Sequence, residues 1–160
     1  MGGREIERKF LLGDRSRVPP LGEGSRLRQG YVDTSGDVEV RIRISDAGAV
    51  LTMKGGSGLD RAEVEIDVDR DQAELVWALT EGRRIDKVRH RIDLPAGLVA
   101  EVDVYEGELA GLEVVEVELP DLVTAEAFTP PPWFGRELTG DPAWSNASLA
   151  RHGRPARWNS

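Results

Sequence analysis

Ionisable residues recur two apart along this sequence, and each time inside a stretch that alternates polar with apolar. Glu5, Glu7 and Lys9 alternate with Ile6, Arg8, Phe10 and Leu12; Arg41 and Arg43 with Val40, Ile42 and Ile44; Thr52 and Lys54 with Leu51 and Met53. The pattern continues through Glu63 and Glu65, then Lys87, Arg89 and Arg91, then Glu101 and Asp103, and ends with Glu116 and Glu118. Residues two apart share one face of a strand, so each set is a row of charge opposite a largely apolar row. A single such row is what the wet side of an ordinary antiparallel sheet looks like.

The rows are sorted by sign. The rows of Glu63 and Glu65, of Glu101 and Asp103 and of Glu116 and Glu118 are acidic, those of Arg41 and Arg43, of Thr52 and Lys54 and of Lys87, Arg89 and Arg91 are basic, and only the first mixes them. A face built for solubility would intersperse signs, because like charges repel between neighbouring strands. If the charged faces instead turn into a barrel, each charge must be paired or must bind a counter-ion. Hard divalent cations suit the carboxylates, and phosphate oxygens suit the Arg and Lys groups. The chemistry indicated is that of a metal-polyphosphate site.

The elements that must position these rows are eight strands near 4–12, 26–33, 38–45, 49–54, 62–68, 85–94, 98–105 and 112–119. Turn-like links at 34–37, 46–48 and 94–97 favour hairpins and an antiparallel sheet, and eight strands suffice to close a barrel. The fold class expected is therefore mainly β, an eight-stranded antiparallel closed barrel with a few flanking helices. One helix is expected between the fifth and sixth strands, capped by Asp71, with Ala73, Val76, Trp77 and Thr80 at helical spacing before Gly82. A short helix at 124–128 should stop at Pro130, and Ser145 should cap another running towards Arg151, leaving 152–160 frayed.

The 160 residues suit one domain spanning 1–160. With no cysteine and only His90 and His152, any metal is expected on oxygen ligands. A formal net charge of −8 argues against a nucleic-acid or anionic-membrane partner. No apolar run is long enough to span a bilayer, and the N-terminus carries no signal-peptide core, so a cytoplasmic monomer or homodimer is expected.

Glu5-Ile6-Glu7-Arg8-Lys9 resembles the ExExK signature of CYTH proteins, the triphosphate tunnel metalloenzymes, and the later matches follow the order of that family. They are Gln29-Gly30-Tyr31, Arg41-x-Arg43, Thr52-x-Lys54, Glu63-x-Glu65, Lys87-x-Arg89, Glu101-x-Asp103, Glu116-x-Glu118 and Ser145-Asn146. The short chain, with 80–84 and 130–135, is most similar to the compact bacterial members that hydrolyse inorganic tripolyphosphate. The resemblance implies a small-molecule triphosphate substrate and one or two Mg²⁺ or Mn²⁺ ions on Glu5, Glu7, Glu116 and Glu118, with Asp103 a further candidate ligand. Lys9, Arg41, Arg43, Lys54, Lys87 and Arg89 would hold the phosphates. The general base stays open among Glu63, Glu65 and a lysine of depressed pKa, Lys9 or Lys87. Tyr31 either packs or turns inward to hydrogen-bond Lys9. One departure from the family pattern is Ala143-Trp144, where relatives carry a basic residue and Tyr.

Three features carry less. Lys54-Gly-Gly-Ser-Gly58 lacks the spacing and the following helix of a phosphate-binding loop and reads as a hairpin connection. His90 falls on the face opposite Arg89 and Arg91. Trp77, Trp133, Phe134 and Trp144 read as packing residues.

Overall fold

The computed structural model describes residues 2–32, 36–56 and 59–156. Eight strands form the barrel: β1 (Gly2–Leu12), β2 (Ser25–Tyr31), β3 (Val38–Ser45), β4 (Gly48–Gly55), β5 (Asp60–Val68), β6 (Arg84–Asp93), β7 (Val99–Tyr105) and β8 (Glu113–Glu118). Every pairing is antiparallel. The order β5-β4-β3-β2-β6-β7-β8-β1 closes through a β1–β5 ladder from Gly2↔Val64 to Ile6↔Asp60. The alternation of residue types thus gave all eight strands, and the closed antiparallel barrel is present as expected.

A ninth strand, β9 (Phe134–Glu137), was not expected; it pairs with the far end of β1. It follows Pro130-Pro131-Pro132 and is too short to show a period. Its signal is glycine. A Cβ on Gly135 would lie 2.9 Å from the Leu11 carbonyl oxygen, and one on Gly13 would lie 2.8 Å from that of Trp133. Only residues without side chains let the two backbones come this close.

Helix α1 (Arg70–Ala78) is capped by Asp69 and not by Asp71. The Asp69 carboxylate accepts from the Gln72 N–H at 2.7 Å, while the Gln72 side chain accepts from the Asp69 N–H, a reciprocal capping box that starts the helix at Arg70 and leaves Asp71 in its first turn. Ala73 docks the helix on Ile42, Ile44 and Ala49. Helix α2 (Leu122–Ala127) starts two residues before the expected Thr124, because Asp121 supplies the cap. Helix α3 (Asn146–His152) is capped by Ser145, as read from the sequence. Of the tail expected to fray at 152–160, His152 belongs to α3, and 157–160 lie outside the described residues, as do parts of the 34–37 and 54–58 connections.

The apolar residues form two main layers. Ile6, Phe10, Val102, Val115 and Val117 face outward from β1, β7 and β8 and are covered by Ala125, Trp133 and Phe134. A second group lies on the inner side at one end of the barrel, where Tyr31, Ile85, Tyr105 and Val114 meet Leu138, Trp144, Ala147 and Leu149. These last four residues plug that end. The interior above the plug is polar: Lys9, Gln29, Arg41, Thr52, Lys54, Lys87, Asp103 and Glu116 are all buried.

Candidate active site

The ring order decides how the charges sort. Going round the barrel, β4, β3, β2 and β6 are adjacent, and so are β7, β8, β1 and β5. The first four contribute Lys54, Arg41, Arg43, Lys87 and Arg89 to the interior; the second four contribute Asp103, Glu116, Glu118, Glu5, Glu7, Glu63 and Glu65. One wall is mainly cationic and the other mainly acidic; Glu39 on β3 is a carboxylate on the first, and Lys9 on β1 and Arg61 on β5 are cations on the second.

Ion pairs form at the two seams. At the β6–β7 seam, Lys87 donates to Asp103 at 2.7 Å, and Arg89 donates to both oxygens of the same carboxylate at 2.7 and 2.8 Å. Burial alone would raise the Asp103 carboxyl, but Lys87 and Arg89 hold it well below the usual range. Burial, followed by the nearby Arg89 and Arg43, pulls Lys87 down to about 7 against the attraction of Asp103. On the other side, Lys54 donates to Glu5 at 2.9 Å. Arg41 and Arg43 lie between the seams. The buried Nε of Arg41 has no hydrogen-bond partner, and burial beside Arg41 and Arg89 lowers Arg43 to about 10.

The acidic wall is crowded. Burial, then the proximity of Glu116 and Glu5, raises Glu7 to about 8. Glu116 is itself held down to about 2, because Lys9, Arg89 and Lys87 outweigh its burial. The Lys9 ammonium lies 3.6 Å from Glu116 and donates to the Trp144 carbonyl oxygen at 2.6 Å. Glu63 rises to about 7, through burial and then its hydrogen bond with Glu65, which is lowered in turn. Glu118 is exposed and is raised by partial burial and by Glu5, Glu101 and Glu65.

Of the residues expected from the sequence, Glu7, Lys9, Arg41 and Glu116 line a common cavity of about 250 Å³ beside the plug, walled also by Leu138 to Asn146. Lys87, Arg89 and Asp103 form a closed ion cluster whose carboxylate is fully used by its two cations. Tyr31 satisfies both of its alternatives at once. Its ring packs in the plug, while its hydroxyl turns to the ionic layer and accepts from Gln29 at 3.1 Å and from Arg41. The expected bond to Lys9 is replaced by these two, since Lys9 reaches Trp144 instead. Burial pushes the Tyr31 hydroxyl up to about 12, so it stays protonated.

Sequence reasoning missed Glu39, Arg61 and the 138–142 segment. Glu39 and Arg61 also line the cavity and approach each other to 3.6 Å, and the Arg61 Nε is buried with no hydrogen-bond partner. Arg61 could have been found by parity with Glu63 and Glu65; the glycine-rich stretch before it hid the start of β5. His90 turns outward beneath Gly24, as expected, where a Cβ would lie 2.7 Å from the imidazole Cε1.

Residues 3–140 match the model of the CYTH domain. The chain belongs to the CYTH family. It is 44% identical over 152 residues, 91% of this chain and 96% of the relative, to an inorganic triphosphatase of Nitrosomonas europaea. It is 39% identical over 153 residues, 94% of this chain and 95% of the relative, to an inorganic triphosphatase of Acetivibrio thermocellus. A crystal structure of an inorganic triphosphatase superposes with a TM-score of 0.67 at 41% identity, covering 94% of this chain and 97% of its own. A Pyrococcus furiosus protein at 22% identity and a TM-score of 0.56 shares the fold, over 77% of this chain and 83% of its own. Within a CYTH protein the two-walled interior acquires a direct chemical reading. Among the described residues no helix is long and apolar enough to cross a membrane.

Proposed function

We propose that this CYTH protein hydrolyses inorganic tripolyphosphate to pyrophosphate and phosphate with the help of a divalent cation. The observation that carries the reading is the segregation of a buried interior into a cationic and an acidic wall. Buried like charges gathered on one wall repel unless a counter-ion joins them. A triphosphate with its metal supplies both signs at once, so it answers the cations and the carboxylates together. The relatives named as inorganic triphosphatases support the choice of substrate.

In this reading Arg41 and Arg43 bind the phosphate oxygens from the middle of the cationic wall, with Lys54, Lys87 and Arg89 beside them and Lys9 opposite. Catalysis of phosphoryl transfer is mostly positioning and charge neutralisation, which fixed cations in a water-poor interior supply without reorganising. Glu5, Glu7, Glu116 and Glu118 would hold Mg²⁺ or Mn²⁺. Among the described residues no three carboxylates or imidazoles converge as a ready-made metal site. The donor set nevertheless fits a hard cation: these are oxygen ligands, and Glu7 is raised by burial and then by its carboxylate neighbours Glu116 and Glu5. Once bound, such an ion would neutralise phosphate charge and acidify water. Asp103, saturated by Lys87 and Arg89, is better suited to orient those cations.

The proton of the attacking water needs an acceptor near neutrality. Lys87 and Glu63 are both pulled close to it, and the fully buried Lys87 is the first choice. Its neutral amine is the base, so activity should rise through about pH 7. Loss of that rise in Glu63→Gln but not in Lys87→Met would move the role to Glu63. The substrate is taken to be a small molecule met in the cytoplasm, with no nucleic-acid or membrane partner.

Phosphate release tests the function: tripolyphosphate, pyrophosphate, ATP and thiamine triphosphate, each with Mg²⁺, Mn²⁺ or EDTA. Selective, EDTA-sensitive release from tripolyphosphate is expected. Preference for an organic triphosphate would change the substrate, and release that survives EDTA would remove the metal.

A further inference from the structure

Gln29-Gly30-Tyr31 has no part in the hydrolysis proposed above, although Gln29 is fully buried in the ionic interior. The Gln29 amide is engaged at both ends. Its oxygen accepts from Arg43 Nε at 3.1 Å, and its nitrogen donates to the Tyr31 hydroxyl at 3.1 Å. That hydroxyl also accepts from Arg41. Arg43, Gln29, Tyr31 and Arg41 therefore form one hydrogen-bonded chain across β2 and β3, whose registers put Gln29 opposite Arg43 and Tyr31 opposite Arg41.

We infer that Gln29 is a positioning residue that fixes the Arg43 guanidinium directly, and the Arg41 guanidinium through Tyr31, for binding the triphosphate. An uncharged amide suits this task. Two guanidiniums on one strand, in a layer where burial and then the like charges of Arg41 and Arg89 already lower Arg43, would splay apart. A carboxylate in place of Gln29 would tether them but would neutralise charge meant for phosphate. Gln29 supplies an acceptor and a donor with no net charge.

The strand is held from behind. Gly30 turns outward against Thr80, and a Cβ there would lie 2.4 Å from the Thr80 Oγ1. Thr80 donates to the Trp77 carbonyl oxygen at 2.7 Å and accepts from Arg84 at 3.1 Å, which ties the end of α1 to the start of β6, where Arg84 is the register partner of Gly30. Gln29 and Tyr31 thus project from a braced segment, and the apolar plug holds the Tyr31 ring. Preorganisation of this kind spares the ordering cost that mobile cations would incur on binding.

The inference rests on the tripolyphosphatase reading, and binding measured without turnover separates the two. The affinity of tripolyphosphate in EDTA, by calorimetry, is compared for wild type, Gln29→Met, Arg43→Ala and the double variant. Gln29→Met is expected to weaken binding about tenfold, the effect of losing a buried hydrogen bond to a charged group. In the Arg43→Ala background the same substitution should cost about threefold or less, because Gln29 then has one guanidinium fewer to position. A merely structural glutamine would give the same factor in both backgrounds, which overturns the proposal, as does unchanged affinity. If Gln29→Met fails to fold, Tyr31→Phe keeps the ring and removes only the hydroxyl that links Gln29 to Arg41. It should weaken binding several-fold, and unchanged affinity would equally overturn the relay. A wild type that binds tripolyphosphate but releases no phosphate with Mg²⁺ would sink the hydrolase reading and leave the relay standing.

Discussion

Replacing Glu7 with Gln should stabilise the ligand-free protein while removing its activity. Glu7 rises from 4.5 to about 8, chiefly through burial and then through Glu116 and Glu5. A carboxyl whose pKa is raised by folding binds more protons folded than unfolded between those two values, so its contribution to stability falls as pH rises through that window. One unit corresponds to about 1.4 kcal/mol, which puts the ionisation cost at about 1.4 kcal/mol near pH 5.5 and about 4 kcal/mol near pH 8. Relaxation and water entry reduce both, leaving a difference of about 1 to 3 kcal/mol between the two pH values. Gln is isosteric and does not ionise, so it escapes the cost. Urea unfolding in EDTA, for both proteins at both pH values, measures it. The stability gain of Glu7→Gln should grow by that difference from about pH 5.5 to about pH 8. An equal gain at both, or a loss at the higher pH, would refute the idea that the cost of ionising buried Glu7 beside Glu116 and Glu5 is what a bound cation relieves. Added Mg²⁺ should then stabilise wild type more than Glu7→Gln, since a ligand stabilises only the state it binds.

Arg41→Ala and Arg43→Ala should each raise the KM for tripolyphosphate by about 10- to 100-fold, as expected for lost charge-assisted contacts; an unchanged KM would remove them from the site. Gly30→Ala should cost about 1 to 3 kcal/mol in urea unfolding, because its Cβ would meet the Thr80 Cβ at 2.7 Å. Adding Thr80→Gly should recover part of that loss, whereas Thr80→Ala should not. Arg8→Met should destabilise by about 2 kcal/mol with KM unchanged, because Arg8 pairs with Glu137 and donates to the Ala125 and Phe128 carbonyl oxygens at 3.0 and 2.8 Å, outside the barrel. A stability equal to wild type would show that α2 and β9 do not need this clamp.

Much of the candidate site could be read from Glu5, Arg41, Lys87 and Glu116 because a strand repeats every two residues, so membership of a face is a local property. Composition and parity alone determined which side chains share a face, where the eight barrel strands run, and that one face is ionic. Where parity was ambiguous, the sequence left a choice that only packing resolved. Tyr31 sits at the boundary between plug and ionic layer and belongs to both. Asp69 and Gln72, and Asp71 and Glu74, both have capping-box spacing, and it is Asp69 that caps α1. β9 exists because Gly13 and Gly135 let two distant segments meet. Ring order was likewise beyond reach: that β4, β3, β2 and β6 neighbour one another, and so divide the cations from the carboxylates, depends on how the strands close. The plug at 138–149 came only with the fold, since Lys9 reaching the Trp144 carbonyl oxygen joins residues 135 positions apart. Facing is set by the local geometry of the chain; adjacency round a barrel is set by closure, to which every strand contributes and no single segment records.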